Sequence, residues 1–364
     1  MASQVKAEPE PLLARGGHGW SQARPRLSSW LAFPAVLVLL LTSIVIATSV
    51  GAVHIPAVHV VAILTGRRME VSPSERLILV AVRLPRVLTA GVIGGALSIA
   101  GVLLQGMFRN PMAEPYVLGT SGGAALGAAF GIFLFPHSSI LGFSAAASLA
   151  FIGSLTTIVG VYSLARVGGK TPTVPLLLSG LAISVVLTEL SSALVYLRGE
   201  VSWNARSYAL WLSGSIGAVT WSQLLIAGGM LFMGGLLAMP LRTVLNALAL
   251  GEDYAQQLGL RLESTRVAIV VVASLLTSAA VLLGGVIGFV GLLVPHVVRL
   301  ILGPEHGRLL LFSPICGASY LIIADAFART VIAPSELPVG IVTALLGGPL
   351  LLYLLRRSKR EYAL

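Results

Sequence analysis

Charge, cysteine and nucleotide-binding sequence are what this chain has least of. Only 10% of its 364 residues are Asp, Glu, Lys or Arg, against about a quarter in a soluble globular domain. With 56% hydrophobic residues, it cannot clothe a folded surface in polar groups, which excludes a water-soluble globule. Its single cysteine, Cys316, rules out an intrachain disulfide and any cysteine-based metal site. A phosphate-binding loop is absent: Gly169-Lys170-Thr171 comes nearest to G-x-x-x-x-G-K-[ST], but Leu164 stands where the first glycine belongs. His18, His54, His59, His137, His296 and His306 never pair at metal-ligand spacing on a helix, and neither HExxH nor a Ser-His-Asp grouping occurs. No catalytic residue, resident metal or permanently bound cofactor is expected, and no internal repeat of 20 to 50 residues is visible.

Long apolar runs are what it has. A membrane-spanning helix needs about 20 such residues, and ten segments qualify: 31–53, 84–107, 114–135, 141–165, 175–197, 221–241, 266–285, 286–303, 309–331 and 338–355. The seventh and eighth are nearly fused. The expected fold is an all-α polytopic membrane protein with ten transmembrane helices. The first thirty residues are polar and basic, and the run that follows is too long for a signal core and has no clear cleavage site. Residues 1–30 are therefore expected to form a cytoplasmic tail, 31–357 the membrane domain and 358–364 a second tail. An even number of spans puts both ends on one side. The 24 basic residues then split 16 on the side of the termini to 8 opposite, so both termini are expected in the cytoplasm. The same rule accounts for the formal charge of +10 without nucleic acid. The eight on the outer side, Arg67, Arg68, Arg76, Arg83, Arg86, Arg198, Arg206 and Arg329, are the exceptions.

Glycines recur inside the apolar runs, among them Gly94, Gly101, Gly123 and Gly127, where they would let helices pack closely in lipid. Residues 246–265, NALALGEDYAQQLGLRLEST, are amphipathic, too polar to span, and long enough for two short helices around Gly251. Asp325 and Arg329 stand four apart on one predicted helix, a spacing for an intrahelical ion pair. Glu189 lies well inside an apolar run, where a carboxylate must face the bundle interior or a water-filled cavity.

Several ordered stretches carry a resemblance: RLPR at 83–86, QGMFRNPMAEPYVLGTSGGAALG at 105–127, LALGEDYAQQLGL at 248–260, GVIGFVGLLVPHVVRLILGPEHGRLL at 285–310, ADAFAR at 324–329 and ELPVGIVTALLGGP at 336–349. In this order the chain resembles the permease subunits of ABC importers for vitamin B12, ferric siderophores and haem. The resemblance implies type II importer architecture in a bacterial inner membrane. It implies a second permease subunit, most simply an identical one, with two separate ATP-binding subunits and a periplasmic substrate-binding protein. Arg83, Arg86 and Arg329 match the arginines that receive the binding protein. Residues 246–265 match the coupling helices. There Leu248, Leu250, Tyr254, Ala255 and Leu258 would face the ATPase, Gly251 and Gly259 would serve the turns, and Glu252 and Asp253 would meet basic residues at the rim. Asn110 and Met112 match one cytoplasmic gate loop, Thr173 and Val174 the other. Glu189 and Arg198 would border the translocation path. Haem, with its two propionates, is the first expectation for cargo, a ferric siderophore the second and cobalamin the third. A reading from another class is an ion-coupled secondary transporter with Glu189 as the coupling carboxylate.

Overall fold

The computed structural model describes residues 29–51, 53–67, 71–166, 168–197 and 203–362. They form fifteen α-helices: α1 (Ser29–Ser49), α2 (Ala57–Thr65), α3 (Pro73–Leu77), α4 (Leu84–Met107), α5 (Thr120–Leu134), α6 (Ala145–Ala165), α7 (Thr173–Leu197), α8 (Trp203–Leu212), α9 (Trp221–Ala238), α10 (Leu241–Ala249), α11 (Glu252–Gln257), α12 (Leu262–Gly284), α13 (Val290–Leu302), α14 (His306–Thr330) and α15 (Val339–Tyr362). A two-residue hairpin, β1 (Ser139–Ile140) and β2 (Phe143–Ser144), links α5 to α6. Its Leu141-Gly142 turn has positive φ at both residues, the geometry that matches strand twist. Seven helical stretches are long and apolar enough to cross a membrane, and three shorter apolar helices, Thr120–Leu134, Val290–Leu302 and Val339–Tyr353, fall in the other predicted segments.

The core is built on α4, which is almost wholly buried and packs against α9, α12, α13 and α14. Glycine makes these approaches possible. A methyl group on Gly94 would lie 2.1 Å from the Gly317 carbonyl of α14, and one on Gly101 would lie 1.8 Å from that of Gly291 in α13. Gly123 of α5 and Gly153 of α6 meet in the same way. Gln105 adds a polar tie, donating to the carbonyls of Gly291 (3.2 Å) and Leu292 (3.0 Å) and accepting from Arg299 (3.1 Å). By contrast α1 and α7 leave most of their apolar surface open.

Several boundaries differ from the sequence expectation. The helix predicted to begin at 84 begins at Pro73 and runs for 35 residues to Met107. It passes through a π-helical turn over Ile78–Arg83. Pro85 supplies no N–H and crowds the turn before it, and a widened turn relieves that conflict. Arg83 and Arg86 therefore lie inside a helix instead of at its tip. The nearly fused pair of segments is divided at residues 285–289, where Gly285 (φ 69°) and Phe289 (φ 69°) both take left-handed backbone. Glu114 accepts from the Phe289 N–H (2.6 Å) and the Tyr116 hydroxyl from that of Ile287 (3.2 Å). α13 is left with only 13 residues. At the C-terminus, α15 continues to Tyr362, so most of the expected tail 358–364 extends that helix. The expected N-terminal tail lies almost entirely outside the described residues.

Candidate functional site

Arg83, Arg86 and Arg329 gather at one end of the bundle because α4 starts where the antiparallel α14 ends. Their roles differ. Arg83 is buried, 6% exposed, and its guanidinium donates to the carbonyls of Thr48 (2.8 Å), Ser49 (3.2 Å) and Val53. It closes the C-terminal end of α1, whose last carbonyls have no helical partner. Expected as an outward docking group, Arg83 is instead buried and spends its guanidinium on the end of α1. Arg329 is also buried and donates to Asp325 Oδ2 (2.9 Å) and to the Ala47 carbonyl (3.1 Å). The intrahelical pair expected from the i, i+4 spacing is present. Asp325, 1% exposed, uses its other oxygen for Arg86 Nη2 (3.1 Å) and so bridges the two arginines. Arg86 turns Nη1 outward to Glu336 (2.9 Å), which is half-exposed. Arg86 is the member of the trio that surface partners can reach. The sequence reading missed Glu336, although it is the first residue of the quoted ELPVG stretch; an acid just before an outer helix was the available signal.

At the opposite end, α10 and α11 meet at Gly251, whose φ of 125° favours glycine. Two short helices around Gly251 match the reading of 246–265, except that the first starts at Leu241. Asn246 holds α10 in place, donating to Glu305 Oε1 (3.1 Å) and accepting from the His306 N–H (3.0 Å). Leu250, Tyr254 and Leu258 are exposed, whereas Leu248 and Ala255 are buried. Of the five apolar residues expected on the outer face, three are exposed. Leu248 and Ala255 point inward because each lies on the side of its short helix that packs on the bundle. Glu252 does not stand free at a rim: it accepts from Arg266 Nη2 at 2.7 Å. Asp253 is exposed, and Gly259 (φ 82°) makes the turn out of α11.

The two predicted gate loops lie at this same end. Asn110 Oδ1 accepts from the Met112 N–H (2.9 Å), a side-chain turn that begins after Arg109 (φ 48°). Thr173 opens α7, with Val174 exposed beside it. α7 packs on the 115–118 turn that follows the first loop, since a methyl group on Gly180 would lie 2.3 Å from the Val117 carbonyl. Glu189 is exposed on α7, on one helical stripe with Leu178, Leu181 and Val185. Arg198 lies outside the described residues.

Residues 39–357 match the FecCD transport family. The chain belongs to that family. Among its relatives are the cobalamin import system permease protein BtuC of Halobacterium salinarum, 41% identical over 79% of this chain and 75% of that protein, and the hemin transport system permease protein HmuU of Yersinia pestis, 39% identical over 77% and 83%. A solved metal-chelate type ABC transporter in an inward-facing conformation superposes with a TM-score of 0.78, covering 90% of this chain and 99% of that one at 28% identity. This FecCD-family chain is therefore an ABC-type permease of the membrane, and the all-α fold is that of a type II importer permease.

Proposed function

We propose that this permease is the transmembrane half of an ATP-driven importer, with ten spanning helices and both termini in the cytoplasm. It carries an iron chelate, haem first, inward between two permease subunits of the cytoplasmic membrane. The observation that carries the reading is the helical turn at Gly251, which presents Leu250, Tyr254 and Leu258 to solvent. Three large apolar groups on so short an element form a ridge suited to a groove in a partner. An ATP-binding subunit is the partner that such a permease requires, since the chain lacks a phosphate-binding loop.

At the other end, Arg86 offers a charged contact for the substrate-binding protein. Arg329 and Asp325 fix its position. The path is supported by the stripe on α7. A carboxylate turned toward hydrocarbon is costly, so the face that holds Glu189 is assigned to the cavity between two subunits. Arg198 follows directly on Leu197 at the end of that helix, and a pair of them, one from each subunit, suits the two propionates of haem. A ferric siderophore is the next reading and cobalamin the third.

The test is uptake into vesicles holding the permease with its ATPase, using binding protein loaded in turn with haem, a ferric siderophore and cobalamin. ATP-dependent haem accumulation is the expected outcome. Uptake that persists without ATP or ATPase would overturn the importer reading and favour an ion-coupled carrier. ATP-dependent uptake of another cargo would overturn haem alone.

A further inference from the structure

Thr171 lies two residues before α7, in the segment that leads to the gate residues Thr173 and Val174, and it is fully buried. Each of its polar groups is taken by the first turns of α12. Glu263 Oε2 accepts from its N–H (3.1 Å) and Glu263 Oε1 from its hydroxyl (2.6 Å). Arg266 Nη1 donates to its carbonyl (3.1 Å). Glu263 also accepts from the Tyr162 hydroxyl near the end of α6. The connection between α6 and α7 is thus clamped to α12 from both sides of one residue.

Arg266 has a second partner. Its Nη2 donates to Glu252, the first residue of α11, at 2.7 Å. Among the described residues it is the side chain hydrogen-bonded both to the 251–257 helical turn and to the segment before α7. A guanidinium suits such a bridge, because its planar fork offers two parallel donors whose directions are fixed relative to each other. Pro172 stiffens the step from Thr171 into α7.

We propose that Arg266 is a positioning residue that transmits movement of α11 to the gate end of α7. The proposal rests on the importer reading, in which α11 rides on the ATPase. Displacement of α11 pulls Glu252, the fork of Arg266 turns with it, and the Thr171 carbonyl follows. Val174 stands three residues beyond. The Glu263 clamp keeps Thr171 attached to α12, so the movement tilts the start of α7 without melting it. The other gate loop, at Asn110 and Met112, is closed by its own side-chain turn and has no bond to Arg266. The two loops are therefore driven differently, with residues 171–174 as the part tied to the ATPase.

The experiment uses the full permease–ATPase–binding-protein assembly in vesicles, with Cys316→Ser and Val174→Cys as background. Maleimide labelling of Val174→Cys, with and without ATP, reports the gate. Variants are Glu252→Ala, which breaks the α11 end alone, and Arg266→Lys, which keeps the charge but not the fork. Ser264→Ala, exposed on α12 two residues before Arg266, is the control. Expected for both bridge variants are unchanged ATPase co-purification and ATP hydrolysis within about twofold, with cargo moved per ATP reduced by about fivefold or more, the lower end of ordinary site–site coupling. The ATP-dependent change in labelling should be lost, and the control should match the unsubstituted chain. If Glu252→Ala and Arg266→Lys both retain normal labelling changes and normal uptake per ATP, the proposal is wrong. Failure of the importer reading shows separately, as no ATP-driven uptake by the unsubstituted assembly.

Discussion

Glu336 holds the Arg86 guanidinium at 2.9 Å while remaining 49% exposed. A surface ion pair of this kind is worth about 0 to 1 kcal/mol, little enough for an incoming carboxylate to displace it. On the proposed docking role of Arg86, Glu336 is then a competitor of the binding protein. Glu336→Ala should speed association of the binding protein a few-fold at low salt, with the gain fading at high salt. Arg86→Ala should slow it. Surface-immobilised permease in nanodiscs, titrated at two ionic strengths, gives both rates, and equal rates for Glu336→Ala and the unsubstituted chain would remove Glu336 from the docking surface.

Asp325 and Arg83 should behave as fold determinants. Asp325→Ala leaves Arg86 and Arg329 without their shared buried acid, and breaking a buried pair costs about 3 to 5 kcal/mol. Arg83→Ala strips donors from three carbonyls at the end of α1, where each buried unsatisfied group costs roughly 1 to 3 kcal/mol. Both variants should lower the thermal midpoint in detergent. Arg86→Ala should lower it less, since that side chain is partly solvated.

On the face assigned to the ATPase, exposure separates contact from core. Leu250→Ala combined with Leu258→Ala should weaken ATPase binding by tenfold or more, taking about 1.5 to 3 kcal/mol for each fully buried leucine, with no loss of thermal stability. Ala255→Leu should do the reverse: Ala255 is fully buried, and overpacking typically costs about 1 to 3 kcal/mol. Co-purification and melting curves on the same samples decide it.

Glu305 caps α14. Burial alone would push its carboxyl up, but the N–H groups of Gly307 and Arg308, the Asn246 amide and the charge of Arg308 outweigh that and hold it below the ordinary value. A lowered folded value means that the cap is fully stabilising above the unfolded carboxyl range and is lost as pH falls through the folded one. Glu305→Gln should therefore cost on the order of 1 kcal/mol at neutral pH, a typical cap contribution. The gap between the two melting curves should close on acidification below about pH 4. A gap that stays constant with pH would show that the charge contributes nothing.

Much of this bundle could be read from composition and period. Apolar length marks the spans, and glycine marks the close approaches realised at Gly94–Gly317 and Gly101–Gly291. The turn at Gly251 and the pair Asp325–Arg329 are local, and local spacing carries them. What was not legible joins residues far apart in the chain. The bonds of Arg83 reach back 35 and 34 positions to α1, and Glu263 lies 92 positions from Thr171. Periodicity says that a residue is turned inward, but not which carbonyl it will meet. The burial of Leu248 and Ala255 was hidden for a related reason: on elements as short as α10 and α11, the inward side depends on what the rest of the fold places beneath them. α8 escaped notice because its polar residues mask a helix too short to span.

The brevity of α13 bears on electrical insulation. Thirteen residues rise about 20 Å, against a hydrocarbon layer of about 30 Å. A helix this short cannot span such a layer by itself, and at its 285–289 end the N–H groups of Ile287 and Phe289 are held by Tyr116 and Glu114. Voltage falls across the part of a membrane that excludes water. On the importer reading, water that reached this turn would compress the field into a thinner slab, so that a charge carried past it would cross the potential over a shorter distance.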